Sequence, residues 1–131
     1  MTKEEFIKRF ECLDENRNPE YVEIDRGIWK YLYIQGLTPT HIDVYIYLKG
    51  EVDPKLGYAN PSYVDMMLDL NLTEPTISKA IEMLERVNLI KVERFSGSHR
   101  NHYYVLNPLP WDEFAKQFPK AAESYFRKVQ Q

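Results

Sequence analysis

Cysteine is nearly absent: Cys12 is the only one in 131 residues. One thiol excludes an internal disulfide framework and a cysteine metal cluster, and it suits a reducing compartment. Glycine is sparse as well, and five of them are too few for a generous phosphate-cradling loop. The chain has no nucleophile-elbow sequence and no zinc protease or nuclease signature. The acidic pairs Glu4-Glu5 and Asp14-Glu15 fall on what read as solvated ends. The expectation is a protein that is not an enzyme and holds no cofactor and no metal. No apolar run approaches membrane-spanning length, and the N-terminus is too acidic and amphipathic for a signal peptide, so a cytoplasmic location with no membrane partner is expected.

An apolar fraction of 44% argues against disorder, and the length suits a single domain, 1–131, with a core that needs no staples. Within it, 1–52 reads as N-terminal helices, 53–107 as a central unit and 108–131 as a C-terminal helix. The net charge of −3 is unevenly spread. Residues 1–25 carry four basic and eight acidic groups, whereas 73–102 carry five and four. The acid lies at the front, and the central unit is mildly basic.

That central unit organises the rest. Thr73 is a good N-cap, Glu74 lies at the positive end of the helix dipole, and Pro75 falls in the first turn, where its missing donor costs little. Ile77, Ala80, Ile81 and Leu84 follow at 3,1,3 spacing and make one apolar stripe. Lys79, Glu82 and Arg86 lie opposite, flanked by Ser78 and Met83. Upstream, Pro61 and Ser62 start a helix over 61–70 with Val64, Met67 and Leu68 as its apolar set. Only Asn71-Leu72-Thr73 joins the two helices, and Asn71 suits a left-handed closing residue. Residues 89–95 and 102–106 read as strands around a turn with Gly97 near its tip.

The run MMLDLNLTEPTISKAIEMLERVNLI resembles the winged helix-turn-helix family over roughly a third of the chain. Met66-Met67 stand in the first helix, Leu70 before the turn, and Asn71 where that family usually has glycine. Leu72-Thr73 opens the second helix, Thr76-Ile77-Ser78-Lys79 lies on it, and Leu84 and Leu89-Ile90 lead into the wing. More weakly, YVEIDRGIWKYL, HIDVYIYLKG and GYANPS look like the front half of replication-initiation proteins of phages and plasmids. The resemblance implies an α+β fold, a mainly helical winged helix-turn-helix with a small antiparallel β-wing and extra N- and C-terminal helices. It implies a sequence-specific partner, double-stranded DNA, in transcription control or replicon maintenance, with replication or transcription proteins as further partners. Thr73, Thr76, Ser78, Lys79, Glu82 and Arg86 would face the major groove. Arg94, Ser98, His99, Arg100 and Asn101 would form the wing contact. A protein–protein adaptor on the same fold is the alternative, and the acidic net charge favours it.

Elsewhere, 2–14 reads as a helix with Thr2 as its cap, and 16–20 as a turn. Residues 21–24 read as a short β-like segment, 25–36 as a helix capped by Asp25, and 41–52 as a helix with Ile42, Tyr45, Ile46 and Leu48 apolar. A short strand is expected at Tyr58-Ala59, because a third partner firms an otherwise marginal hairpin. In the pairs Tyr31/Tyr33 and Tyr45/Tyr47, one member of each is expected in the core; no aromatic platform on a sheet beside basic residues is expected. His99 to His102 offers no adjacent Cys, Asp or Glu to complete a metal site. The stripe Trp111, Phe114, Phe118, Ala122, Tyr125, Val129 is helical, with a kink or restart at Pro119. It packs either onto the chain's own core or, with Phe6 and Phe10, into a homodimer interface.

Overall fold

The computed structural model describes residues 2–5, 8, 21–96 and 100–131. The expected first helix lies mostly outside them, as do Phe6, Phe10, the 16–20 turn, Ser98 and His99. Thr2 does act as a cap: its hydroxyl accepts from the Glu5 N–H at 3.1 Å.

The first complete element, η1 (Arg26–Tyr33), is a 3-10 helix rather than the expected α-helix. Its buried apolar anchors, Ile28 and Tyr31, stand three apart and so share one edge of a helix with three residues per turn; Ile34 follows as the extended cap residue. Asp25 caps it by accepting from the Gly27 N–H at 2.7 Å. Residues 21–25 join no helix or strand. Val22 instead lies over Gly50, whose absent Cβ would come within 2.9 Å of it.

Helix α1 (Pro39–Glu51) opens with Pro39 in its first turn. Its Ile42, Val44, Tyr45 and Leu48 are buried, so the helix is enclosed on more than one side. The Tyr31 and Tyr45 rings are core, while Tyr33 and Tyr47 are half-buried, as expected.

Helix α2 (Tyr63–Leu70) starts with a reciprocal cap. The Ser62 hydroxyl accepts from the Asp65 N–H, and the Asp65 carboxylate accepts from the Ser62 N–H, both at 3.0 Å. Its buried face differs from expectation. Met66 is fully buried, with Tyr63, Met67 and Leu70 packed beside the core, whereas Val64 and Leu68 are 61% and 76% exposed. In eight residues two apolar phases fit the pattern, and packing on α3 selects the Met66 phase.

Asn71 closes α2 at φ 53°, ψ 50°, the left-handed conformation expected of it. Helix α3 (Glu74–Arg86) follows after Asn71-Leu72-Thr73. Ile77, Ala80, Ile81 and Leu84 are all buried; Met83 joins them instead of flanking the polar side. A second left-handed asparagine, Asn88 at φ 61°, turns the chain into β1 (Ile90–Glu93).

Strand β1 pairs antiparallel with β2 (His102–Val105), placing Ile90 opposite Val105 and Val92 opposite Tyr103. Ala59 adds the expected third partner: it exchanges two backbone hydrogen bonds with Tyr103, at 2.9 and 2.8 Å. Pro119 does restart the C-terminal helix, giving α4 (Trp111–Gln117) and α5 (Pro119–Val129). Phe114 and Ala122 are buried, and Phe114 meets Tyr31 edge-on at 5.0 Å. The fold is thus α+β and mainly helical, with a two-stranded antiparallel sheet and flanking helices. Among the described residues no helix is long and apolar enough to cross a membrane.

Candidate nucleic-acid interface

The exposed side of α3 begins with two hydroxyls. Thr73 sits at the cap position, yet its side chain bonds Thr76 Oγ1 at 2.9 Å and caps no amide, against expectation. Pro75 has no N–H and the Ile77 N–H goes to the Thr73 carbonyl, so the Glu74 and Thr76 N–H groups are those left for solvent or a ligand. Ser78, Lys79, Glu82 and Arg86 are exposed along the same side. Arg86 reaches Glu82 Oε1 at 3.3 Å, an exposed pair one turn apart. Lys79 makes no hydrogen bond or ion pair among the described residues.

Two of the hairpin cations, Arg94 and Arg100, are committed inside the chain. Arg94 forms a two-pronged contact with the Glu85 carboxylate, 3.0 and 3.2 Å, tying the strand exit to the last turns of α3. That contact holds the Glu85 carboxyl below its usual range and raises the Arg94 guanidinium. Arg100 donates to the Asn60 carbonyl at 3.0 Å and stands 3.5 Å from Asp65. The Asp65 carboxyl is lowered first by its hydrogen bonds from Ser62 and then by the Arg100 charge. Asn101 is half-buried beside the sheet.

Period-two alternation places Lys91, Glu93, His102 and Tyr104 on the outer face of the hairpin. His102 stacks on Tyr58 at 3.8 Å, meets Phe95 at 4.5 Å, and approaches Glu93 at 3.0 Å through Nδ1. Tyr58 also leans on Tyr104 at 5.6 Å. An aromatic patch on a sheet beside a lysine therefore does exist, contrary to expectation. The alternation in IKVE alone was enough to point Lys91 outward; the Tyr58 contribution arrives through the Ala59 bridge and has no local signal.

Of the aromatic residues expected at a dimer contact, the four within the described residues pack inside this chain. Trp111, Phe114, Phe118 and Tyr125 form a continuous set of ring contacts with Tyr31 and Tyr33 of η1. Phe114 has no exposed surface left; Trp111 retains 37%.

No family model matches the chain, and no curated protein matches it in sequence. Among solved structures it is similar to one described as "N-Terminal domain of DNA binding protein", with a TM-score of 0.52 and 18% identity. That likeness covers 82% of this chain and 93% of the other. At such identity the similarity is one of fold.

Proposed function

We propose that this chain is a winged helix-turn-helix protein that binds specific double-stranded DNA, acting in transcription control or in replication and maintenance of a phage or plasmid replicon. Helix α3 enters the major groove with Ser78, Lys79 and Glu82 toward base edges, and the hairpin is the wing. The observation that carries this reading is the α3 surface: free first-turn amides, the Thr73–Thr76 hydroxyl pair, and Lys79 unengaged beside them. Amides and hydroxyls at a helix start suit phosphate oxygens, and an extended lysine suits guanine or phosphate. The neighbouring fold of a DNA-binding protein's N-terminal domain supports the same direction. The chain binds as a homodimer in this reading, and it does no chemistry on its target.

One observation favours a protein–protein adaptor instead. Arg94 and Arg100 are tied to Glu85, Asn60 and Asp65, which leaves a thin basic surface on an acidic chain. Titration of fragmented genomic and plasmid DNA across a salt series separates the two. Lys79, Arg86 and Lys91 supply three cations per chain, so a monomer would give a log–log slope of about −3 and a dimer about −5. A slope in that range with one preferred fragment supports the DNA reading; flat binding at low salt supports the adaptor.

A further inference from the structure

Lys30 is the one charged residue counted among the buried side chains of the described structure, with 6% of its surface exposed. Its ammonium lies over three rings: Trp111 at 5.4 Å, Phe114 at 5.5 Å and Tyr31 at 5.8 Å. Among the described residues it has no hydrogen bond and no ion pair. Asp25, whose charge it feels, accepts from the Gly27 amide through Oδ1 at 2.7 Å. Gly27 itself makes room for the ammonium, since a Cβ there would stand 2.7 Å from Nζ. Ring contacts offset part of the cost of burying a cation, and the N–H donors that no protein group takes keep access to solvent. Burial accordingly lowers the Lys30 pKa.

The ammonium borders a cavity of 380 Å³ whose walls include Arg26, Trp29, Tyr33, Trp111 and Tyr125. Trp29 and Trp111 keep 52% and 37% of their surface open. This volume lies near the lower end of small-molecule sites, which run from about 300 to 1,000 Å³. Two cations and four aromatic walls specify the occupant's chemistry: a flat ring for the walls and an anion for Lys30. The cavity is lined by η1, α4 and α5 and includes no residue of α3 or the hairpin.

We propose that this cavity is a binding site for a small planar aromatic anion, of one or two fused rings bearing a carboxylate or a phosphate. The anion takes the free donors of Lys30 with Arg26 at the mouth, and the ring lies against the indoles of Trp29 and Trp111. This assignment is independent of the DNA reading.

The chain has two tryptophans, and both line the cavity, so their indole N–H resonances report on it without background. Titration of the ¹⁵N-labelled protein with 2-naphthoate should shift both resonances saturably. The neutral isostere 2-naphthalenemethanol should bind about tenfold more weakly or worse, as should 2-naphthoate to Lys30→Met. Arg26→Gln, at the exposed mouth, should weaken binding a few-fold with the melting temperature unchanged; it carries the test if Lys30→Met fails to fold. Adenosine monophosphate, titrated in parallel, distinguishes the source of the anion: tighter binding than naphthoate assigns a nucleotide, weaker binding an aryl acid. The proposal is overturned if neither compound gives saturable shifts at millimolar concentration, or if the neutral isostere binds as well as the acid.

Discussion

His41 shows how one imidazole can couple folding to pH. Its Nδ1 accepts the Thr38 N–H at 3.2 Å, which requires an unprotonated nitrogen there. Burial lowers its pKa from the ordinary 6.5. A depressed histidine contributes stability that is present above its unfolded pKa and lost as pH falls through the folded value. Urea midpoints should therefore drop between pH 7 and pH 5, and His41→Gln should flatten that part of the profile. At the alkaline end Tyr45 behaves oppositely. Its hydroxyl donates to the Leu106 carbonyl at 2.8 Å, and burial pushes its pKa up to about 12. The stability it provides is full below pH 10 and declines as pH rises toward 12, which phenolate absorbance and circular dichroism would follow together. On the proposed DNA surface, Lys79→Ala should cut affinity with an unchanged melting temperature, whereas Arg94→Ala should cost stability, by about 0.5–1 kcal/mol, more than affinity. Equal loss of affinity from both variants would sink the division between free and committed cations.

At the scale of elements, the turn and α3 decide whether the surface exists. Leu84→Ala, at a fully buried position, should cost about 2–5 kcal/mol in urea denaturation and abolish binding through unfolding. Asn71→Gly should be tolerated, because φ 53° suits glycine at least as well; Asn71→Val should destabilise by about 1–2 kcal/mol. These local devices were legible in the sequence: the Ser62 start, the Asn71 stop, the α3 stripe and the Pro119 restart each act within a few residues. Other features were hidden for physical reasons. Ile28 and Tyr31, three apart, fit a helix of 3.0 or of 3.6 residues per turn, so η1 passed for an α-helix. The α2 stripe had two admissible phases, and only contact with α3 separated them. The commitment of Arg94 to Glu85, nine positions away, and of Arg100 to Asn60, 40 away, is tertiary information that no window contains. So the positions of the surface residues were readable, while their availability was not.

Across the whole molecule, one cluster of buried residues runs from η1 through α1, α3 and the sheet to α4 and α5. The aromatic C-terminal stripe belongs to that cluster at Phe114 and Ala122, so its first duty is internal. Removal of 111–131 should therefore unfold the protein rather than merely alter its assembly, as a loss of cooperative thermal melting would report. If a dimer forms, its contacts must come from what remains exposed, such as Trp111, Phe126 and Val129.

Two phenols fasten the same short segment. Tyr45 holds the Leu106 carbonyl and Tyr31 holds the Leu109 N–H at 2.9 Å, across 61 and 78 positions of chain. A chain emerging from the ribosome cannot make either bond until residues beyond 109 have cleared the exit tunnel. The front half must wait, with the Tyr31 and Tyr45 rings still uncovered, and at about 5–20 residues per second that wait lasts several seconds. Emergence of the 106–109 segment is thus the step that commits the front half to its native state, and products stalled before it would be open to proteolysis.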